Sequence, residues 1–99
     1  MSGHRLSAQA RRDLRLIAVA IASRYSEASA DAAIDRVMEI CRLLGRYPLF
    51  GRARDRDLGP GIRSVPASRF IVIYKVTGSG VLILRVIDGR RDYANLFRP

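Results

Sequence analysis

One cysteine, one histidine and no tryptophan occur in these 99 residues, and each scarcity removes a class of chemistry. A lone Cys41 cannot build an internal disulfide framework. Neither Cys41 nor His4 has the companions that a zinc site requires, so no metal and no cofactor is expected. No apolar run approaches the roughly 20 residues that span a bilayer, and the start Met1-Ser2-Gly3-His4-Arg5 lacks the apolar stretch of a secretory signal. The expectation is a cytoplasmic chain with no membrane partner and no small-molecule substrate. Acidic residues are also few, nine against 18 basic ones. The resulting +9 is a large field for so small a body and calls for an acidic partner, either nucleic acid or protein.

What is present is the balance of a single folded domain over residues 1–99, with 48% hydrophobic and 27% charged residues. Seventeen of the 18 basic residues are arginine, the exception being Lys75. Forked guanidinium groups suit phosphate and carboxylate. A G+C-rich genome would raise Arg and Ala together, and the 12 alanines keep that reading open beside selection for contacts.

The segment His4-Arg5-Leu6 reads as a short strand ending at Ser7, which can cap a helix. Leu14, Ile17, Ala18, Ile21 and Tyr25 then recur at helical steps, predicting a first helix over 8–25. A second stripe of Leu16, Val19 and Ala20 leaves that helix apolar on more than one side, free for a layer or a partner. Ala30, Ile34, Val37, Cys41 and Leu44 define a second helix over 27–44, stopped by Gly45 and Pro48, with Cys41 as a small core residue. The short break between the two predicts an antiparallel helical hairpin.

Residues 49–61 show no period and read as an exposed loop. Strand patterns follow at 62–66, 69–77 and 81–88. The fold class is therefore α+β, in the order β-α-α-β-β-β, with the hairpin on one face of a mostly antiparallel four-stranded sheet.

With Gly78-Ser79 as a tight turn, Val76 faces Val81, Tyr74 faces Ile83, Val72 faces Arg85 and Arg69 faces Asp88. One face then holds Ile71, Ile73, Leu82, Leu84 and Val86 and is expected to meet the helices. With Ala67-Ser68 as the preceding turn, Arg63 also flanks Val72, so Arg63 and Arg85 would share a face with Phe70 and Tyr74. Such a pair could grip a phosphate or carboxylate. Alternatively, both arginines could lie over a half-exposed sheet or pair with the chain end. Arg69 and Asp88 are expected to form an edge ion pair. Arg90, Arg91 and Tyr93, just beyond the last strand, could extend the basic face, or Tyr93 could cover the core edge.

Several features together resemble a known family. They are Arg5-Leu6-Ser7, the run from Ala10 to Asp13-Leu14, the Pro48-Leu49-Phe50-Gly51-Arg52 turn, Gly61-Ile62-Arg63-Ser64-Val65-Pro66, Ile73-Tyr74-Lys75-Val76 and the ending from Arg85 to Asp92. In order, and over nearly the whole chain, they resemble the ParE/RelE superfamily of bacterial toxins from type II toxin-antitoxin modules, systems associated with plasmid stabilization. The resemblance implies a basic toxin that arrests growth and is silenced by an acidic, partly disordered antitoxin in a hetero-oligomer. RelE-like members cut messenger RNA on the ribosome with clustered basic groups and often a tyrosine or histidine, whereas ParE-like members poison DNA gyrase. The Gly-x-Arg-Ser-x-Pro motif and the Gly-Arg-Arg-Asp ending lie nearer ParE. Asp88 stands where many relatives carry histidine.

The resemblance thus implies a gyrase inhibitor that works by binding, with Arg63, Tyr74, Arg85, Arg90 and Arg91 toward the target. The antitoxin would lie on Leu16, Val19 and Ala20 or beside Arg63 and Arg85. The alternative is a ribosome-dependent endoribonuclease using Arg63, Arg85, Arg91 and Tyr93. That chemistry needs proton-transfer groups as well as cations, and the sequence supplies few. A second alternative is a non-catalytic nucleic-acid-binding module, for which seven aromatics, mostly in core-like positions, are a thin stacking surface.

Overall fold

The computed structural model describes residues 3–90. Its elements are β1 (His4–Leu6), α1 (Ala8–Arg24), α2 (Glu27–Arg46), β2 (Arg52–Ala53), β3 (Ile62–Ala67), β4 (Phe70–Thr77) and β5 (Gly80–Asp88). The expected α+β architecture, strand first and then a helical hairpin against a mostly antiparallel sheet, is what forms.

Ser7 begins α1 as the sequence predicts. Its Oγ accepts from the Ala10 N–H at 3.0 Å and its hydroxyl donates to the Leu84 carbonyl at 2.9 Å, so one side chain caps the helix and ties it to β5. A cap of this kind stabilises by about 1 kcal/mol. Ala10 and Ile21 are buried, while Leu16 and Val19 stay 63% and 64% exposed, so the second stripe of α1 is an open face. In α2, Ser26 caps the start by accepting from the Ser29 N–H, and Ala30, Val37, Ile40, Cys41 and Leu44 form the buried stripe. The helix does not stop at Gly45 but continues to Arg46. Gly45 is instead a contact point, because a Cβ there would lie 2.9 Å from the Gly3 carbonyl carbon, too close for any side chain.

Among the described residues the sheet has five strands in the order β1-β5-β4-β3-β2. The four-stranded expectation omitted β2, whose two residues lie inside the segment read as loop and carry no periodic signal. β1 runs parallel to β5, and every other pairing is antiparallel.

Two register expectations are corrected. The turn after β3 is Ser68-Arg69, with Ser68 at φ 59°, so Ala67 pairs with Phe70 and Arg63 pairs with Tyr74 rather than Val72. Between β4 and β5 the expected pairs Val76–Val81 and Tyr74–Ile83 hold, but a bulge follows. Ile73 then pairs with Arg85, Val72 with Val86 and Phe70 with Asp88. The extra residue on β5 is Leu84, and an irregularity of this kind leaves no mark in an apolar run.

The face that meets the helices is also the reverse of the one expected. Val65, Ala67, Phe70, Val72, Tyr74, Val81 and Ile83 pack with the buried stripes of α1 and α2, and the bulge brings Val86 to the same side. Ile73 and Ile87 form a second cluster with Leu58, flanked by Ile62 and Ile71, on the far side. Both faces of β4 are apolar because both are covered, one by helices and one by the segment before β3, so alternation could not identify the core.

Candidate functional site

The bulge in β5 aims Arg85 at α1. Its Nε donates to Asp13 Oδ2 at 2.8 Å and its Nη2 to Oδ1 at 3.0 Å, a two-pronged pair. Asp13 Oδ2 also accepts the Val86 N–H at 2.9 Å. The Asp13 hydrogen bonds hold Arg85 above its ordinary pKa. Beside this pair lies a cleft of about 230 Å³ lined by Leu16, Ile17, Ala20, Phe70 and Ile87, with Arg85 and Asp88 among its polar members. The predicted stripe therefore divides. Leu16 and Ala20 border the cleft, whereas Val19 faces a shallow depression toward Ala30 of α2.

Arg63 sits elsewhere. Across β4 from Arg85 stands Ser64, and Arg63 lies beside Tyr74 instead, so the two arginines do not flank a common residue. The Arg63 Nε is buried with no hydrogen-bond partner among the described residues. Tyr74 is fully buried and its hydroxyl works inward, donating to the Pro48 carbonyl at 2.7 Å and accepting the Gly51 N–H at 2.8 Å. Burial pushes the Tyr74 phenol above its ordinary pKa. Gly51 is required for this contact, since a Cβ there would lie 2.5 Å from the phenol oxygen.

Arg90 is committed to Asp88, with its Nε on Oδ1 at 3.1 Å and its Nη2 on Oδ2 at 2.9 Å. Arg69 completes the expected edge pair at 3.6 Å and lies over the Phe70 ring at 5.1 Å. Hydrogen bonds from Arg90 lead the effects that bring Asp88 down to about 2. Arg91 and Tyr93 lie outside the described residues. His4 sits on β1 with its pKa lowered by burial and then by Arg42. Burial pushes the Cys41 thiol up to about 11, consistent with an inert core residue.

The sequence marks the Pro48–Arg52 turn as a point of resemblance within an exposed loop but assigns its apolar side chains no role. Tyr47, Leu49 and Phe50 are 55%, 71% and 59% exposed in the turn after α2. The available signal was two large apolar residues, Leu49 and Phe50, set between a proline and a glycine where a loop should be polar. Among the described residues no three His, Cys, Asp or Glu side chains gather as a metal site, and no helix is long and apolar enough to cross a membrane.

Comparison with known proteins bears on this arrangement at three levels. Residues 5–93 match the family model of the ParE toxin of the type II toxin-antitoxin system parDE. The Toxin ParE3 of Caulobacter vibrioides is 37% identical over 65 residues, which cover 66% of this chain and 64% of that relative's length. A chain of the chromosomal ParDE system of P. aeruginosa shares the fold, with TM-score 0.77 and 22% identity over 89% of this chain and 96% of its own. A chain of the RelBE2 toxin-antitoxin complex of Mycobacterium tuberculosis gives TM-score 0.62 and 26% identity, covering 88% of this chain and 96% of its own. The chain accordingly belongs to the ParE toxin family of type II toxin-antitoxin systems.

Proposed function

We propose that this chain is the toxin half of such a module, silenced by an acidic antitoxin laid along α1 and acting on DNA gyrase by binding. Membership of the ParE family is the observation that carries the reading. The electrostatics of α1 support it. Arg11, Arg12 and Arg15 are exposed near the start of the helix, and its first turn holds no acidic residue. Positive charge there opposes the helix dipole, and carboxylates from a partner would relieve it. The cleft bordered by Leu16 and Ala20 offers that partner's apolar side chains a seat beside Arg85.

The side chains near Arg63 and Arg85 favour binding over cleavage. Arg85 is already held by Asp13, and the Tyr74 hydroxyl is buried, with its pKa raised by that burial. A supercoiling assay with purified gyrase tests the target. Supercoiling should fall, with trapped cleavage complexes, at protein levels that arrest growth; unaffected supercoiling there refutes the proposal. Leu16→Asp and Arg85→Glu should each weaken the antitoxin complex, and unchanged complexes with both would remove α1 and its cleft as the contact.

One observation keeps a second reading, ribosome-dependent cleavage of messenger RNA. It is supported by the likeness to a chain of the RelBE2 toxin-antitoxin complex, at 26% identity and TM-score 0.62. Intact messenger RNA in growth-arrested cells would exclude it.

A further inference from the structure

We propose that the turn of residues 47–51 is the knob with which this protein engages its target, and that it fits a folded protein surface presenting an apolar pocket ringed by carboxylates. The inference rests on the gyrase reading and assigns its contact surface. Three large apolar side chains within four positions, Tyr47, Leu49 and Phe50, are each more than half exposed. A loop that served only to close the core would turn such side chains inward, and contiguous exposed apolar groups mark interaction sites.

The backbone beneath them is fixed. The Tyr74 hydroxyl holds both the Pro48 carbonyl and the Gly51 N–H, and the Phe50 N–H donates to the Tyr47 carbonyl at 3.0 Å. A knob already held in shape loses little freedom on docking, which is what a tight contact with a rigid partner needs. Its chemistry selects the partner. Arg46 lies over the Tyr47 ring at 5.8 Å, and the groove of about 550 Å³ beside Phe50 is lined by Arg52 and by Arg36, which also reaches Glu39 at 3.4 Å, with no carboxylate among its described lining residues. Apolar tips within a basic rim match an apolar pocket within an acidic rim.

Both surfaces border a hollow, and what separates them is that three large exposed apolar side chains stand together in this turn whereas Leu16 is the one such side chain lining the α1 cleft. A cleft receives the side chains of a segment laid across it, as a partly disordered antitoxin would provide. A rigid cluster of exposed apolar side chains needs a preformed pocket in a folded partner. The two surfaces thus suit the two partners that the proposed function requires.

The test uses the full chain, purified gyrase and the cognate antitoxin. Leu49→Asp and Phe50→Ser should each raise the half-inhibitory concentration for supercoiling by about tenfold or more, as truncated anchors do. Antitoxin affinity and the unfolding midpoint should stay as in the parent protein. Arg52→Glu should weaken inhibition less and flatten its salt dependence. Val76→Ser, at a 44% exposed apolar position on the β4–β5 hairpin, should inhibit like the parent. Full inhibition by both Leu49→Asp and Phe50→Ser overturns the knob while leaving the gyrase reading standing. Loss of antitoxin binding together with inhibition overturns the assignment and gives this surface to the antitoxin. An equal loss from Val76→Ser also overturns it. A parent protein that leaves gyrase unaffected removes the gyrase reading and the knob with it.

Discussion

Where α1 meets β5, the contact that closes the seam is ionic, Asp13 gripping Arg85 through two hydrogen bonds with side chains 11% and 21% exposed. Where the turn after α2 meets β4, the closing contact is a neutral phenol buried beneath two backbone groups. Each seam has large exposed apolar residues beside it, Leu16 at the first and Leu49 and Phe50 at the second. An ionic closure can be remade, because a partner's carboxylate can compete with Asp13 for the guanidinium fork. A phenol between a carbonyl and an amide has no charge to exchange, so it holds its loop unchanged by salt or by pH below the phenol's titration. The first seam suits a partner that is acquired and released, and the second suits a surface of fixed shape.

The largest break in this comparison is Asp13→Ala. It strands a partly buried guanidinium and leaves the Val86 N–H without its acceptor, so the expected loss is about 3 kcal/mol in urea unfolding. Arg85→Met added to it should recover about half of that loss, because an apolar pair avoids the uncompensated charge. A double variant as unstable as the single one would mean that the backbone contact, rather than the ion pair, closes the seam.

At the neutral seam the larger effect is Gly51→Ala. The added methyl must displace the Tyr74 ring or lift the turn, and overpacking of this kind costs roughly 2 kcal/mol. Tyr74→Phe keeps the ring and removes only the hydroxyl, for a loss of about 1 kcal/mol. Its distinguishing readout is local. Hydrogen exchange at the Gly51 amide should quicken far more than at core amides of β4, and equal quickening throughout would show that the hydroxyl steadies the whole domain rather than the turn.

The contrast between the seams also explains what could be read from sequence. Both helices were legible because Ile21 on α1 and Val37, Cys41 and Leu44 on α2 keep a stripe against one neighbour, and Ser7 announced its cap. The hairpin turn at Gly78-Ser79 was legible because Gly-Ser-Gly between two apolar runs marks a turn, although it is Gly80, at φ 142°, and not Gly78 or Ser79 that takes the positive-φ conformation. The face of the sheet was not. Ile71 and Ile73 are as apolar as Val72 and Tyr74, since Leu58 covers one side and the helices the other. The bulge at Leu84 moved Arg85 from beside Val72 to beside Ile73, and the two-residue slip at Ser68-Arg69 moved Arg63 to Tyr74. Local pattern counts residues between turns and cannot register an extra one within a continuous apolar strand. The arginine pairing drawn from that count fails for the same reason, whereas the open stripe of α1 depended only on helical period and survives.

The smallest effect expected belongs to the exposed end of the ionic region, where Asp88 holds Arg90 and Arg69. Its carboxyl titrates at about 2 when folded, chiefly because of the Arg90 hydrogen bonds, against an ordinary value of 3.8. A depressed folded pKa means that the unfolded chain binds the proton first. The stabilisation is therefore fully present above the ordinary carboxylate range and is lost as pH falls through about 2. Solvent screening limits this contribution to under about 1 kcal/mol. Asp88→Asn should remove that part of the acid sensitivity and little stability at neutral pH, and 1 M salt should shrink the difference between the two proteins. A salt-independent difference would mean that Asp88 acts through its bond to the Arg90 amide at 3.0 Å, fixing the turn after β5 as Tyr74 fixes the turn after α2.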